Sequence, residues 1–78
     1  RWRIRFALRE TGPASLALFD TAGRKVKTLM SERRCSAGEQ VLNWDGHDDS
    51  GGALASGIYL ARLISGDDRA TRKIVVLR

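Results

Sequence analysis

Residues 43–59 constrain the fold more than any other part of the sequence, because they are turn residues set between two apolar segments. An Asp side chain accepts hydrogen bonds from backbone amides two residues on, and glycine adopts positive φ without steric cost. Asp45-Gly46 and the run of residues 49–52 therefore predict two successive tight turns, and Ser56-Gly57 predicts a third. The chain must change direction repeatedly here, as it does between antiparallel strands.

The start of the chain alternates strictly between apolar and basic residues. The first set is Trp2, Ile4, Phe6 and Leu8, and the second is Arg1, Arg3 and Arg5. This period of two predicts a half-buried strand. A row of arginines can bind phosphates, but no aromatic residue is interleaved on that face for base stacking. An edge strand with a charged solvent face is therefore favoured, and nucleic acid is not the expected partner.

Five further segments have the length and residue types of strands, and no apolar period of 3.6 residues persists anywhere. They are residues 15–19, 24–30, 39–44, 58–64 and 72–77. Turn signals at residues 11–13, 20–23 and 65–68 separate them. The sequence therefore predicts an all-β fold, a two-layer antiparallel sandwich of about six to seven strands.

Local features refine this arrangement. The residues 20–23 predict a type I turn closed by a left-handed glycine, so that the second and third strands form a hairpin. Within the third strand the apolar positions shift register, which indicates a bulge near Thr28. Residues 58–64 are apolar on both faces except at Arg62, as expected of a buried central strand. Residues 31–36 are basic and polar, and are predicted to form a flexible loop.

A chain of 78 residues forms one domain, here residues 1–78, with a small core. The predicted core contains Trp2, Phe6, Leu16, Leu18, Leu42, Trp44, Tyr59 and Leu63. The single cysteine excludes an intrachain disulfide, and an incidental surface position is favoured for Cys35 over a reactive one. The net charge of +5 makes an acidic partner plausible without identifying it.

The order and spacing of the turn signals resemble a known family. From Trp44 to Tyr59 the sequence reads W-D-G-x-D-x-x-G-x-x-L-A-S-G-I-Y, preceded by the residues 19–24 (FDTAGR) and 36–38 (SAG). This series, over nearly the whole chain, is similar to the immunoglobulin-like domain of the bacterial flagellar hook-capping proteins. It is also similar to C-terminal modules of secreted bacterial proteins, including the sorting domains of the type IX secretion system. Family members commonly open with an Asn-Pro-Phe-like first strand, which this sequence lacks.

The resemblance implies an immunoglobulin-like sandwich and structural roles for the residues that match the motif. Those residues are Asp20, Gly23, Arg24, Gly38, Trp44, Asp45, Gly46, Asp48, Gly51, Ser56, Gly57, Tyr59, Gly66 and Lys73. It also implies that an open strand edge remains at the start, unless residues 2–8 take the place of the missing strand.

For function, the resemblance implies a non-catalytic module that serves export or sorting, attachment or assembly. The alternative is a structural subunit of an extracellular assembly in which strand edges pair between copies. The expected partners are the rest of the parent polypeptide, the secretion machinery or further copies, at the bacterial surface or outside the cell, with the periplasm in transit. Because the sequence starts without Met and ends at Arg78 directly after an apolar strand, we expect a C-terminal piece of a longer protein.

Catalysis and calcium binding are the two kinds of chemistry for which the turn-rich stretch has suitable residues. His47, the only histidine, has Asp45, Asp48, Asp49 and Ser50 as neighbours, but a short loop does not supply the rigid surroundings and oxyanion site of a catalytic triad. The three Asp residues are hard oxygen ligands suited to calcium. As an EF-hand, however, the loop has serine where the glycine and the bidentate glutamate belong. We therefore predict that the carboxylates cap turns and pair with nearby arginines, and that the domain has no enzymatic activity, no metal and no cofactor.

Overall fold

The computed structural model describes residues 2–77, which form six β-strands and no helix. The strands are β1 (Trp2–Leu8), β2 (Gly12–Phe19), β3 (Lys25–Cys35), β4 (Gly38–Trp44), β5 (Gly57–Ser65) and β6 (Asp68–Val76). β1 and β4 form a two-stranded antiparallel sheet, and the other four form a sheet of order β3-β2-β5-β6. The predicted all-β antiparallel sandwich is confirmed. The predictions for Arg1 and Arg78 lie outside the described residues.

Alternating side chains from both sheets meet in one core. Its buried members are Leu8, Ala14, Leu16, Leu18, Met30, Cys35, Trp44, Leu54, Tyr59, Ala61 and Val76. Four of the eight residues predicted for the core are among them, and Trp2, Phe6, Leu42 and Leu63 are partly buried against it. Trp2 faces Trp44 across the β1–β4 pair, with ring centroids 5.4 Å apart. Aromatic pairs at this separation add to the apolar burial itself.

The β2–β3 hairpin forms as predicted, around the turn at residues 20–23. Gly23 N–H donates to the Asp20 carbonyl at 3.0 Å, and Gly23 has φ of 88°. A residue with a Cβ is strained at this φ, which explains the glycine. Along the pair, β2 partners change from Met30 to Thr28 in one step, so the bulge predicted near Thr28 is present.

Two predictions about residues 31–36 are wrong. The segment is not a loop up to residue 35, because β3 runs on to Cys35 and pairs with the start of β2, where Cys35 lies opposite Gly12. The sequence did not predict this strand because its side chains at residues 31–34 are polar or basic and exposed. An outer strand such as β3 can carry such residues, since it needs only one apolar face. Cys35 is also not a surface residue, because its side chain closes one end of the core with 7% exposure.

β5 lies between β2 and β6, as its composition predicted, but only one of its faces is buried. Tyr59 and Ala61 point into the core, whereas the outward-facing Ile58 is 47% exposed beside its cross-strand partner Val75. Arg62 on the same outer face lies over the Phe19 ring at 4.6 Å from its centroid. Contrary to the prediction, β5 is therefore central within its sheet without being buried on both faces.

Candidate functional site

The loop between β4 and β5 is ordered by backbone hydrogen bonds of its own. Leu54 N–H donates to the Gly46 carbonyl at 2.9 Å, and Asp48 N–H donates to the Gly52 carbonyl at 2.8 Å. A bridge between His47 and Ala53 lies between these bonds. The run of Asp and Gly residues thus forms a small hairpin-like loop, which agrees with the turns predicted from the sequence.

Two aromatic side chains attach this loop to the core. The Trp44 indole Nε1–H donates to the His47 carbonyl at 3.0 Å, and the Tyr59 hydroxyl donates to the Ala55 carbonyl at 2.7 Å. Both rings are buried, so each polar atom reaches the loop from a fixed position. Buried Trp and Tyr need such partners for their N–H and O–H groups. Trp44 and Tyr59 therefore pack in the core and also fix the conformation of the loop.

The three aspartates of the loop bind different parts of the backbone. Asp45 Oδ1 accepts from His47 N–H at 3.0 Å, and Asp48 Oδ1 accepts from the amides of Ser50 and Gly52 at 2.9 Å each. The Asp49 carboxylate turns away from both and accepts from Thr28 N–H at 3.0 Å. The carboxylates therefore do not converge on a common point.

Among residues 2–77, no three His, Cys, Asp or Glu side chains are grouped so that they could hold a metal ion. The weak calcium candidate Asp45, Asp48 and Asp49 thus has no preformed site in this loop, and its independence of calcium stays a prediction. His47 Nδ1 lies 3.4 Å from Asp45 Oδ1, a contact that is an ion pair only when the imidazole is protonated.

Asp20, in the β2–β3 turn, has the same kind of environment as Asp45. Its Oδ1 accepts from the amides of Ala22 and Arg24, and its Oδ2 accepts from Arg24 Nε at 3.2 Å. The Arg24 amide, followed by the Arg24 side chain and the Ala22 amide, lowers the pKa of Asp20. The His47 amide does the same for the pKa of Asp45, because it favours the carboxylate over the acid.

The remaining motif residues, apart from Lys73, lie at turns and strand ends. Positive φ is found at Gly23, Gly38, Gly46, Gly51 and Gly66. Gly57 begins β5, Ser56 precedes it, and Lys73 lies on the outer face of β6 opposite Leu60. The structure therefore brings Asp45, Gly46, Asp48 and Gly51 together in the β4–β5 loop, with Trp44 and Tyr59 bonded to it from the flanking strands, and leaves Lys73 on the outer face of β6.

A second feature, which we call the open flank, lies where β1 faces the β5–β6 side of the larger sheet. It is a cleft of about 470 Å³ between β1 and the β5–β6 hairpin. Its lining consists of Arg3, Ile4, Arg5, Phe6, Ala7, Leu16, Ala61, Leu63, Ala70, Arg72 and Ile74. Among the six strands of residues 2–77, β4 is the one that pairs with β1.

A comparison with protein-family models identifies the chain's relatives. The model of the FlgD Ig-like domain matches residues 3–67. The chain belongs to this family. Neither the curated proteins nor the solved structures contain a protein that matches it.

Membership of the FlgD Ig-like family agrees with the immunoglobulin-like sandwich and with the hook-capping resemblance of the motif series. The family is structural and non-catalytic. The matched range contains the whole β4–β5 loop and ends at residue 67, just before β6 begins. Arg72, Lys73 and Ile74 therefore lie beyond the part of the domain that the family model describes.

Sequence reasoning missed the open flank of this FlgD Ig-like domain, although one signal was present. On β6, residues 72, 74 and 76 share one face, and Ile74 and Val76 point toward the core. Arg72 is therefore on the inner face, opposite the buried Ala61. A charge in register with core residues indicates that this part of the inner face is not covered by the other sheet.

Proposed function

We propose that this domain is a non-catalytic immunoglobulin-like module of a secreted or cell-surface bacterial protein, where it serves export or sorting, attachment or assembly. The observation that carries the proposal is that the polar side chains at this loop form hydrogen bonds with the backbone. Asp45, Asp48 and Asp49 all accept hydrogen bonds from backbone amides, and Trp44 and Tyr59 donate to backbone carbonyls. These side chains hold the fold, which suits a spacer or attachment module.

The location outside the cell or on its surface, and the position at the C-terminus of the parent protein, are part of the same proposal. Support comes from the flagellar-hook relationship of the family. Residues 2–77 contain no helix with the length and apolarity needed to cross a membrane.

A second candidate is a structural subunit of an extracellular assembly, such as a hook cap or a filament built by strand pairing. The outer strand β6 favours it, because among residues 2–77 it pairs with β5 alone and exposed edges are templates for pairing with another chain. The two candidates differ in what is lost when the domain is absent. An export module affects where the parent protein is found, whereas an assembly module affects which complexes the parent protein forms.

The test has two arms. Residues 1–78 are fused behind an exported reporter, and they are separately deleted from the parent protein. We expect deletion to alter the export, surface retention or assembly of the parent while any catalytic activity of the parent remains. A fusion that carries Trp44→Ala serves as the unfolded control, and one that carries Val41→Ala serves as the folded control. Unchanged location and assembly together with a lost catalytic activity would contradict the proposal.

A further inference from the structure

We propose that the outer face of the four-stranded sheet binds an amphipathic helix of another protein, whose apolar stripe is bordered by carboxylates. This outer sheet face consists of alternate residues along 15–19 of β2, 58–64 of β5 and 69–75 of β6, together with Lys25 and Thr28 of β3. The inference deepens the attachment role proposed above and rests on it, because it names the face and the class of partner. It is carried by exposed apolar residues, by the spacing of the basic residues beside them and by the sign of the charges.

The strand β5 is apolar on a face that the smaller sheet does not cover. Its residues that alternate with the buried Tyr59 and Ala61 point outward, and all of them except Arg62 are aliphatic. Ile58 is 47% exposed, and its cross-strand partner Val75 is 52% exposed. The outward face of an antiparallel sheet in a sandwich is ordinarily polar. Apolar residues grouped there indicate a surface that a partner covers.

Basic residues lie on both sides of these apolar ones. One row across the sheet, from β6 to β3, consists of Lys73, Leu60, Phe19 and Lys25. The two outer strands are three strand spacings apart, about 14 Å, and a helix with its side chains is about 10–12 Å wide. One helix therefore fits along β2 and β5 between the two lysines. A further sheet would cover the lysines as well.

The charges of the outer sheet face select the residues of the helix. On β2, β5 and β6 the charged outward residues are Arg62, Arg69 and Lys73, and no outward position of these described strands is Asp or Glu. Carboxylates along the borders of the helix would lie beside the basic residues of the outer strands. Arg62 lies among the apolar residues, with its guanidinium 4.6 Å from the centroid of the Phe19 ring. A covered charge is unfavourable unless it is paired, so the stripe itself needs one carboxylate opposite Arg62.

A second copy of this chain and a membrane fit this face less well. In a two-fold dimer the same patch meets itself, and a patch whose charges are all basic offers no carboxylate to its copy. An amphipathic element that binds a membrane buries its apolar side chains about 5–10 Å into the lipid boundary. Ile58 and Val75 lie within a sheet face, 47% and 52% exposed, and do not project that far.

The experiment uses the 78-residue chain and synthetic helical peptides. The face from Ile58 to Ile64 spans about 20 Å, or about 13 residues of helix, and peptides of about 20 residues are chosen because shorter ones are poorly helical. The first peptide has a stripe of Leu with one Glu at its centre and Glu along both borders. The second has Lys in place of every Glu, and the third has the residues of the first in an order without a stripe.

Binding is measured by calorimetry, and the site is located by amide chemical shifts. Vesicles of phosphatidylglycerol are the probe for a membrane. We expect the first peptide alone to bind, with the largest shifts at residues 58–64 and 69–75. Binding of the vesicles without binding of the first peptide would overturn the inference in favour of a lipid surface.

Two matched pairs of variants test the charge and the apolar contact. Arg62→Gln should weaken binding about tenfold, as expected from the loss of a close charge pair. Arg5→Gln removes the same charge from the smaller sheet and should leave binding unchanged. Val75→Ala should weaken binding about fivefold because it removes apolar contact. Val41→Ala, a valine of 54% exposure on β4, should have no effect.

Several results would contradict this site. They are equal binding of the first peptide and either of the other two, equal effects within either pair of variants, and no binding of the first peptide. Such a failure is distinct from failure of the proposed function, because the export, attachment or assembly role is tested by deletion of the domain from the parent protein.

Discussion

At the scale of single residues, Trp44 connects the core to the β4–β5 loop. Its ring is 4% exposed and packs against Trp2, and its indole N–H binds the loop at the His47 carbonyl. The sequence predicted this residue for the core because it ends an alternating segment and precedes Asp45-Gly46. The indole hydrogen bond depends on how the loop folds back, which the sequence alone did not reveal.

Replacement of Trp44 should remove most of the stability of the domain. Trp44→Ala is expected to lower the free energy of unfolding by roughly 3 to 5 kcal/mol, since it leaves a cavity and an unsatisfied carbonyl. Domains of this size have little more than that in total. Denaturant unfolding followed by circular dichroism measures the effect. Val41→Ala is the matched control on the same strand, because Val41 is 54% exposed and its loss should change little. Cooperative unfolding of Trp44→Ala near the wild-type midpoint would show that the core lies elsewhere.

Acid should destabilise the domain through Asp20 and Asp45. Both have a pKa below their ordinary value of 3.8, because backbone amides donate to the ionised carboxylates. The unfolded chain therefore binds protons first as the pH falls. The stabilisation is complete above the unfolded value near 3.8 and is lost as the pH falls through the folded values. Urea midpoints measured between neutral pH and pH values below this range should decrease toward acid.

Asp20→Asn gives the comparison for this pH dependence. Asparagine retains an oxygen that accepts from Ala22 and Arg24 but does not titrate. Its midpoint should decrease less on acidification than that of the wild type. Parallel pH curves for the two proteins would show that Asp20 does not contribute.

At the scale of elements, the β4–β5 loop also protects the edge of the larger sheet. Asp49 N–H donates to the Val26 carbonyl at 3.1 Å, its carboxylate accepts from Thr28 N–H, and Lys27 Nζ lies 3.7 Å from Asp49 Oδ1. The exposed edge of β3 is thereby occupied at its bulge. Such coverage limits pairing of an edge strand with other chains.

Loss of Asp49 should open this edge. Asp49→Ala is expected to decrease the free energy of unfolding by about 1 kcal/mol, because the Thr28 amide loses an acceptor near the surface. Amide exchange at Thr28 should accelerate more than at other β3 positions. Asp67→Ala, a change of the same charge in the exposed β5–β6 turn, is the control. Unchanged exchange at Thr28 would show that the loop does not hold the edge.

Calcium should not stabilise the loop. Its carboxylates already accept backbone hydrogen bonds at separate places, and a metal would have to replace several of these at once. Thermal midpoints measured with excess calcium and with chelator should therefore agree. A ligand at a hundred times its dissociation constant would add about 2.7 kcal/mol, which corresponds to a shift of several degrees. A shift of that size would identify Asp45, Asp48 and Asp49 as ligands.

The sequence predicted elements better than it predicted their extents and partners. Turns such as residues 20–23 depend on local residue types, and they form where expected. The extension of β3 through residues 31–35 was missed because its pairing with β2 is a non-local contact, and its side chains resemble a loop. Likewise, the grouping of β1 with β4 follows from long-range pairing that no local pattern encodes. The loop half of the candidate site was therefore predictable, and the open flank was not.

At the scale of the whole molecule, the two layers are unequal and the charge is unbalanced. A two-stranded sheet covers a four-stranded one, so the inner face of β6 is only partly covered. The chain carries 14 basic and 9 acidic residues. Most of the described ion pairs are between exposed or partly exposed groups, such as Arg9 with Asp68 at 4.0 Å. Exposed pairs contribute little to stability, so net repulsion between the basic groups should dominate.

Added salt should therefore stabilise the domain. Screening reduces the repulsion among basic side chains within the folded chain. Urea midpoints, which avoid the ionic strength of guanidinium, should increase between low and physiological salt. The double variant with Arg3→Gln and Arg5→Gln lowers the net charge from +5 to +3 and should decrease this salt dependence. A midpoint that falls with salt in the wild type would mean that the few ion pairs outweigh the excess of basic charge. Loss of the salt effect in the double variant would locate much of the repulsion on β1.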